Sequence, residues 1–206
     1  MRLSFDTPVT LLGAGPILPG DIEEILAIAP VLVAADGGAI AALSAGYVPE
    51  AVIGDFDSLS AEFRHSIPSD RLHHVAEQDT TDFEKCLHRI SAPLTVALGF
   101  TGRRLDHELA VYNALVRYPD RRCIVLGSDD LAFAAPSEIT LAMRPADRVS
   151  LFPMAEVTGH SEGLRWPIEG LRFAPSGRVG TSNVATGPVR LSFDGPGMLI
   201  ILPRGA

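Results

Sequence analysis

The sequence is poor in several kinds of residue, and each shortage excludes a class of protein. Two of the 206 residues are cysteine, Cys86 and Cys123, and both lie in apolar segments, so a disulfide scaffold is excluded. No stretch approaches the roughly 20 consecutive apolar residues that span a bilayer, so we expect no membrane partner. The N-terminus shows no basic segment followed by an apolar run, so we expect no secretory signal. With reduced cysteines, these absences predict a cytoplasmic protein.

Basic residues are also scarce, and this bears on the kind of partner. The net charge is −8, and binding to a nucleic-acid backbone needs a basic face, so we expect no nucleic-acid partner. The acidic excess is uneven, because residues 1–135 contain 19 acidic and 10 basic side chains, whereas residues 136–206 contain 6 and 7. An acidic region that binds an anionic ligand needs a metal ion between the two.

The sequence does contain enough apolar residues for a core, and their spacing predicts the fold of residues 1–135. Apolar residues make up 47% and charged residues 20%, which is typical of a globular protein. Short apolar runs, typical of strands buried on both faces, alternate with helix-like segments, which predicts an α/β domain with a mostly parallel layered sheet. The predicted strands are Val9–Leu12, Val31–Ala35, Ala51–Gly54, Leu94–Leu98 and Cys123–Leu126. The predicted helices are Asp21–Ala29, Ala39–Ala45, Ser60–Ser66, Thr81–Ile90 and His107–Arg117.

The pattern changes after about residue 135. Strand-length runs separated by Pro, Gly, Ser and Asn predict a small all-β sandwich, with a domain boundary at Pro136-Ser137 that separates residues 1–135 from 136–206. About 70 residues make a small independent core, so we expect this domain to pack on the first domain or on a second copy of the chain. The predicted strands are Ile139–Ala142, Val149–Phe152, Leu164–Trp166, Val189–Phe193 and Met198–Leu202.

Polar clusters occur where strands of the α/β domain are predicted to end. Ligands of open α/β sheets bind beyond the carboxyl ends of the strands, so these clusters predict a binding site. The clusters are Ala35–Gly38, Gly54–Ser58, Gln78–Asp82 and Gly102–His107.

Aspartates in these clusters have two interpretations each. Asp55 and Asp57 point the same way in an extended segment, so they form either a solvated turn or a pair of oxygen ligands for Mg²⁺. Asp79 and Asp82 open a predicted helix, where capping by Asp79 or Thr80 competes with ligand binding. Lys85 lies one helical turn after Asp82 and forms either a surface ion pair or part of the site.

Arg104 and Trp166 also have two interpretations each, one structural and one in ligand binding. Arg104 and Asp106 have i, i+2 spacing, and Arg104 is either a bidentate phosphate clamp or one of many surface arginines. Trp166 is the single tryptophan of the chain, and it is either a core residue or an aromatic platform for a flat, cationic ligand.

In this order and spacing, the clusters resemble those of the thiamine pyrophosphokinase family. Family members have Ala-Asp-Gly-Gly, here Ala35–Gly38, and Gly-Asp-Phe-Asp-Ser, here Gly54–Ser58. They continue with Asp-x-Thr-Asp and a following Lys, here Asp79–Lys85, and with Gly-Arg-x-Asp-His, matched here by Arg104–His107. Gly163–Pro167 and Thr181–Asn183 match in the C-terminal part.

The resemblance implies a fold, an activity and a set of roles. The fold is an α/β catalytic domain followed by a β-sandwich, and the activity is transfer of a pyrophosphoryl group from ATP to thiamine, giving thiamine diphosphate and AMP. Family members are homodimers in which the site lies between the catalytic domain of one chain and the β domain of the other. The residues implied as Mg²⁺ ligands are Asp55, Asp57 and Asp82. Those implied to bind ATP or to line the transfer site are Asp36, Gln78, Asp79, Thr81, Lys85, Arg104 and Asp106. Those implied to contact thiamine are Trp166, Ser182 and Asn183.

The sequence departs from the family pattern at one position. The family usually has Gly before the motif arginine, and here that residue is Arg103. Either the loop differs, with Gly102 supplying the turn, or Arg103 adds a second phosphate contact. Two other functions remain as alternatives: a pyrophosphokinase that acts on another alcohol such as a hydroxymethylpterin, and a non-catalytic nucleotide or thiamine sensor.

Overall fold

Strands and helices alternate along the N-terminal part of the chain. The computed structural model describes residues 2–57, 60–77 and 79–205. The chain divides into two units, the first comprising Met1–Ala114 with Arg121–Ser128 and the second comprising Leu115–Asp120 with Asp129–Ala206. Within the described residues, no helix is long and apolar enough to cross a membrane.

The elements that precede Ser128 follow the βα order predicted from the sequence. The strands are β1 (Leu3–Ser4), β2 (Val9–Leu12), β3 (Val31–Ala35), β4 (Ala51–Gly54), β5 (Leu72–His74), β6 (Ile90–Ser91), β7 (Thr95–Leu98) and β8 (Cys123–Leu126). The helices are α1 (Asp21–Leu26), α2 (Gly38–Ser44), α3 (Ala61–His65), α4 (Asp82–Arg89) and α5 (Leu105–Arg117), and a 3-10 turn covers Ser69–Arg71.

A parallel sheet forms the centre of the N-terminal unit. Its strand order is β8-β7-β2-β3-β4-β5, and each neighbouring pair is parallel. Val9 of β2 is opposite Val31 of β3 on one side and Thr95 of β7 on the other. Because the strands run the same way, the carboxyl ends of β2, β3, β4 and β7 lie at one edge of the sheet.

The central strands are buried along their whole length. Every residue of β2, β4 and β7 is buried, which explains why these strands are continuous apolar runs rather than alternating ones. Leu12, Ala34 and Val52 belong to a core that also includes residues of α1 and α2. The one hydroxyl within β2, that of Thr10, is satisfied by donating to the carbonyl of Ala29 at 2.6 Å.

The five strands predicted for this region are confirmed, four of them with the predicted bounds and the fifth one residue shorter, at Thr95–Leu98. The five helices are also confirmed, with ends that differ by at most three residues. The sequence analysis missed β5. This strand pairs with β4, with His73 opposite Ile53, and two of its three residues are histidines. A short edge strand that is partly solvated lacks the apolar run that identifies a buried strand.

The C-terminal unit is made of antiparallel strands. These are β9 (Asp130–Ala134), β10 (Glu138–Leu141), β11 (Arg148–Pro153), β12 (Gly159–Leu164), β13 (Gly180–Phe193) and β14 (Met198–Pro203). Their order is β10-β13-β11-β14-β9, and β12 also pairs with β13. The first part of β13 pairs with β11, whereas its last part pairs with β10 on one side and β12 on the other. Leu151, Val189 and Ile200 are fully buried in the core of this unit.

One expectation for this region needs correction. Trp166 was expected within a strand over Leu164–Trp166, but β12 ends at Leu164 and Trp166 lies in the bend that follows. The first compact unit ends at Ser128, and β9 pairs with β14, with Asp130 opposite Pro203 and Ala134 opposite Leu199. The domain boundary at Pro136-Ser137 stays a prediction. The assignment of functions to residues 1–135 and 136–206 stays a prediction.

Candidate active site

The predicted polar clusters meet at the carboxyl edge of the parallel sheet. The loop after β2 begins at Gly13, the loop after β3 contains Asp36, and the loop after β4 contains Asp55. The loop after β7 runs from Gly99 to Arg104 and leads into α5. A cavity of about 340 Å³ lies at this edge, lined by residues of all these loops except the one after β4. This is the place where open α/β sheets bind their ligands.

Two glycine loops form one wall of the cavity because they approach each other too closely for a side chain. A Cβ on Gly13 would lie 2.4 Å from the carbonyl oxygen of Gly99, and one on Gly15 would lie 2.7 Å from it. The amide of Gly15 instead donates to that carbonyl at 2.7 Å. The wall is therefore main chain, and it brings backbone groups to the cavity surface, as phosphate-binding loops do.

The departure from the motif before Arg104 is resolved by the backbone. Gly102 has a φ of 79°, in the left-handed region, and among the described residues Arg103 is not one of those with positive φ. Gly102 therefore supplies the turn one residue earlier, and Arg103 causes no strain there. The Arg103 guanidinium donates to the Ala14 carbonyl at 3.3 Å and also lines the cavity.

Arg104 is oriented by Asp106. Its Nε donates to one carboxylate oxygen of Asp106 at 3.1 Å, and its Nη2 donates to the other at 2.6 Å. These hydrogen bonds lower the pKa of Asp106 and raise that of Arg104, so the pair is fully charged at neutral pH. Both side chains are exposed, which leaves the remaining donors of Arg104 available to an anion.

Lys85 joins two of the predicted metal ligands. It lies on α4 and is 2% exposed, and its ammonium is 3.4 Å from Asp55 Oδ2 and 3.2 Å from Asp82 Oδ1. Burial alone would lower the pKa of Lys85, but the hydrogen bonds and charges of Asp82 and Asp55 outweigh burial and raise it. The end of β4 and the start of α4 are thus connected through one cation, and the alternative of a surface ion pair for Lys85 is wrong.

Asp57 is placed differently from Asp55 and Asp82. Its side chain is exposed, and its backbone amide donates to Asp55 Oδ1 at 3.3 Å. Among the residues that the structure describes, no group of three or more His, Cys, Asp or Glu side chains is arranged to hold a metal ion. The donor set still suits Mg²⁺, since this ion usually takes one or two carboxylates together with substrate phosphates and water.

The remaining predicted residues are spread along the same edge. Asp36 is 2% exposed and packs against Gly54, where a Cβ would lie 2.8 Å from the Asp36 Cβ. Thr81 Oγ1 accepts a hydrogen bond from the Glu84 amide, so the helix cap is Thr81, and the alternative of capping by Asp79 or Thr80 is wrong. Thr81 also lines the cavity, and Asp79 is exposed beside it in the chain. Gln78 and Ser58 lie outside the described residues.

The sequence analysis missed several apolar residues of the cavity. Phe100 and Val111 line it, and the Phe100 ring contacts the buried ring of Phe83 edge-on, with centroids 4.9 Å apart. The signal for this wall was the segment after β7, in which Phe100 and Thr101 stand between Gly99 and Gly102. Apolar surface beside backbone amides suits a ligand that has both a ring and phosphates.

The residues expected to contact thiamine are gathered in the C-terminal unit. Trp166 is 52% exposed, which excludes the alternative of a core tryptophan, and the Arg165 guanidinium lies 5.0 Å from its ring centroid. Ser182 is exposed and has a φ of 61°. Asn183 is buried at 8% exposure, and its side-chain amide is hydrogen-bonded to the main chain of Trp166.

Comparisons with known proteins agree with this arrangement. The family model of the thiamin pyrophosphokinase catalytic domain matches residues 22–126. Thiamine pyrophosphokinase 3 of Oryza sativa subsp. japonica is 28% identical over 157 residues, covering 67% of this chain and 59% of the rice protein. Thiamine pyrophosphokinase 1 of Arabidopsis thaliana is 29% identical over 157 residues, covering 67% and 59%. The matched region thus spans about three fifths of the length of these curated relatives.

Solved structures extend the likeness over nearly the whole chain. The thiamin pyrophosphokinase of Geobacillus thermodenitrificans superposes with a TM-score of 0.78 at 25% identity, covering 96% of this chain and 97% of that one. The Candida albicans thiamin pyrophosphokinase gives a TM-score of 0.80 at 15% identity, over 98% and 93%, and shows the shared fold. Because the catalytic-domain model covers just over half of the chain and includes the four clusters at the sheet edge, the chain belongs to the thiamin pyrophosphokinase family.

Proposed function

We propose that this protein transfers the pyrophosphoryl group of ATP to the hydroxyl of thiamine, giving thiamine diphosphate and AMP. The observation that carries the proposal is that residues of three family motifs line one cavity at the carboxyl edge of the parallel sheet, and that Lys85 connects this group to Asp55 of the fourth motif. The names of the curated relatives favour thiamine over a hydroxymethylpterin as the acceptor. The intact acidic set, with Asp55, Asp57 and Asp82 all present, favours an enzyme over a sensor.

In this proposal ATP binds along the glycine loops. The main chain of Gly13–Gly15 and Gly99–Thr101 lines the nucleotide site and, having little or no side chain at the glycines, lets the ligand approach closely, and the Phe100 side chain provides apolar surface. Asp36, Gln78, Thr81 and Lys85 complete the ATP site. Arg104, oriented by Asp106, reaches the phosphates with its free donors, and Arg103 is close enough to the same cavity to add a second contact.

We further propose that Asp55, Asp57 and Asp82 hold Mg²⁺ on the ATP phosphates. When bound, the ion neutralises negative charge on the phosphate oxygens. Support comes from Lys85, since a buried ammonium between Asp55 and Asp82 keeps two carboxylates close together at the point where the triphosphate is proposed to bind. Without a metal ion, the net negative charge of these aspartates would repel the ATP phosphates.

The chemistry is an in-line displacement at the β-phosphorus. The bond from the thiamine oxygen to the β-phosphorus forms, and the bond to the bridging oxygen of AMP breaks with its electron pair leaving on AMP. The hydroxyl proton passes to a carboxylate, for which Asp79 and Asp106 are the candidates. Asp106 has a lowered pKa and is hydrogen-bonded to Arg104, so its role is to orient Arg104, and we assign the proton acceptor to Asp79.

The architecture of the C-terminal unit, the oligomeric state and the location of the protein are also part of the proposal. We infer that the C-terminal unit is a β-sandwich, because β13 pairs with β11 over its first part and with β10 and β12 over its last. Its Trp166, Ser182 and Asn183 form the thiamine element, and a homodimer lets this element complete the site of a partner chain. Buried, unpaired thiols at Cys86 and Cys123 support a reducing, cytoplasmic location.

The experiment that tests the proposal measures AMP formed from ATP and Mg²⁺ by the purified protein. AMP is expected with thiamine and not without it, and no AMP is expected with 6-hydroxymethylpterin as the acceptor. AMP formation with the pterin alone would establish the other acceptor. Binding of both ATP and thiamine without AMP formation would establish a sensor.

A further inference from the structure

Asn183 holds the main chain of Trp166 from both sides. The Trp166 amide donates to Asn183 Oδ1 at 3.2 Å, and Asn183 Nδ2 donates to the Trp166 carbonyl at 2.7 Å. The same Oδ1 accepts from the Val184 amide at 2.8 Å. A side-chain amide offers two acceptor sites and two hydrogens, so three of the four are used by the main chain. Buried and committed in this way, Asn183 has little capacity to bind a ligand.

A bulge in β13 directs Asn183 toward Trp166. Val149 is opposite Asn183 and Leu151 is opposite Gly180, so two steps along β11 correspond to three along β13. The extra residue is accommodated at Ser182, which has a φ of 61°. A left-handed conformation is uncommon outside glycine and persists where its surroundings determine it, and bulges re-aim side chains next to functional sites.

Ser150 fixes this bulge. Its hydroxyl oxygen accepts a hydrogen bond from the Ser182 amide at 3.0 Å, and Ser150 is 3% exposed. That amide would otherwise lack a strand partner at the irregular position, because the ladder between β11 and β13 shifts there. We call Ser150 and Asn183, together with their hydrogen bonds, the Trp166 bracket.

The Trp166 bracket holds the main chain of a residue whose indole ring is accessible to solvent. The Arg165 amide donates to the Val184 carbonyl at 2.8 Å, so the chain is fixed just before Trp166 as well. The indole itself is 52% exposed, with Arg165 against one face. A large aromatic side chain is thus held open to solvent on a rigid main chain, although its burial would be more favourable by the hydrophobic effect.

We propose that Ser150 and Asn183 are positioning residues for Trp166, and that Asn183 acts through Trp166 and does not itself contact thiamine. This rests on the proposed function, in which Trp166 is the platform for the ring of thiamine. A rigid platform loses less side-chain freedom when the ligand binds, so the bracket raises thiamine affinity without touching the ligand.

The first test uses the fluorescence of Trp166 in the free protein, because this tryptophan is the only one in the chain. Asn183→Ala is expected to lower its emission anisotropy, and Asn183→Asp and Ser150→Ala are expected to lower it less. The carboxylate introduced by Asn183→Asp would still accept from the Trp166 amide but could not donate to its carbonyl. Thr158→Val is the matched control, because it removes the hydrogen bond of Thr158 to Asp194 in the same unit and should leave the anisotropy unchanged.

The second test is a double-mutant cycle on thiamine affinity, measured by calorimetry. Asn183→Ala alone is expected to weaken thiamine binding up to about tenfold, the scale of the ordering cost of one mobile side chain on binding, with ATP affinity unchanged. In the Trp166→Ala background the same change is expected to have no further effect, since the platform is already absent. A direct contact between Asn183 and thiamine would instead make the two losses add.

The two tests separate failure of this inference from failure of the proposed function. A parent protein that does not bind thiamine refutes the proposed function, whereas the anisotropy measurements need no ligand. If Asn183→Ala does not fold, Asn183→Asp and Ser150→Ala decide the first test. Unchanged anisotropy in both variants, or additive losses in the cycle, would overturn the inference.

Discussion

At the residue scale, the chemistry of the proposed site depends on a balance of charge around Lys85. Two carboxylates, Asp55 and Asp82, share one buried ammonium, so the group carries a single net negative charge before ATP binds. Lys85 therefore keeps the two carboxylates close without a metal ion. Asp57 lies at the same edge of the sheet and is exposed, and none of its described contacts is with a basic side chain.

Asp57→Asn is expected to lower the turnover number at least about 100-fold, the scale of losing one preorganised electrostatic contact. The change removes a charge but keeps the size of the side chain. Turnover is measured at saturating ATP, thiamine and Mg²⁺. The matched control is Asp70→Asn, which neutralises an exposed aspartate before β5, at the opposite edge of the sheet. Near-normal turnover of Asp57→Asn would refute the assignment of Asp57 to the metal.

The candidate residues could be predicted from sequence because motif chemistry is local, whereas their partners could not. Sequence spacing placed Lys85 one helical turn after Asp82, and the resemblance placed Asp55 in the same site, but the contact of Lys85 with Asp55 is set by how β4 and α4 pack. The partner of Asn183 depends on a β-bulge, which leaves no periodic signal. The helix cap is Thr81 because of the backbone geometry at that residue. By residue type alone, Asp79 and Thr80 are equally suitable caps.

At the scale of elements, strand prediction succeeded where a strand is apolar along its whole length and mostly buried. Strands β2, β3, β4 and β8 were predicted with their exact bounds, since buried parallel strands are unbroken apolar runs bordered by turn residues. Strand β13 was predicted only over Val189–Phe193, because its first part contains Gly187-Pro188 and polar residues on the way from one pairing partner to the other. Pairing partners distant in sequence decide such strands.

The start of α2 packs directly on the end of β2, and Gly38 makes this possible. A Cβ on Gly38 would lie 2.1 Å from the Leu12 carbonyl oxygen. All its nearest neighbours are backbone atoms, so the main chain would have to move to make room for it. Gly38→Ala is therefore expected to lower the free energy of unfolding by about 1–3 kcal/mol, the usual cost of overpacking. Urea denaturation measures it, with Ser44→Ala at the other end of α2 as the control. A loss below about 0.5 kcal/mol, typical of a neutral surface change, would contradict this packing.

The edge strand β5 should make stability depend on pH through His73. Burial of the imidazole lowers its pKa below the usual 6.5, although Asp70 opposes this by raising it. The folded state then binds the proton less readily than the unfolded state, so the contribution of His73 is complete above pH 6.5 and is lost as the pH falls below it. Denaturation of the parent and of His73→Gln between pH 7.5 and about pH 5 checks this. The difference between the two proteins should change over that range, and a constant difference would contradict the account.

At the scale of the whole molecule, each unit has a core of its own. Leu12, Ala34 and Val52 represent the first core, and Leu151 and Ile200 represent the second. The composition predicted two such units, since the switch from alternating βα segments to short strands is visible in the sequence. The pairing of β9 with β14 is not visible in the sequence, because β9 resembles the preceding apolar strands.

The proposed homodimer is a prediction at this scale. Leu105 and Leu109 lie one turn apart on α5 and are 72% and 55% exposed, which provides apolar surface for association. Sedimentation equilibrium is expected to give twice the chain mass of 21.9 kDa. Specific activity should fall when the protein is diluted below the dissociation constant. A monomer that stays fully active at nanomolar concentration would contradict the proposal of shared sites.

The measurement that tests the central claim most directly follows the phosphorus atoms of ATP. With the label at the γ-phosphorus, the account predicts labelled thiamine diphosphate; with the label at the α-phosphorus, it predicts labelled AMP and unlabelled thiamine diphosphate. AMP and thiamine diphosphate should form in equal amounts, because a single displacement at the β-phosphorus transfers both outer phosphates together. Formation of ADP with labelled thiamine monophosphate would show a transfer of one phosphoryl group and would contradict the account.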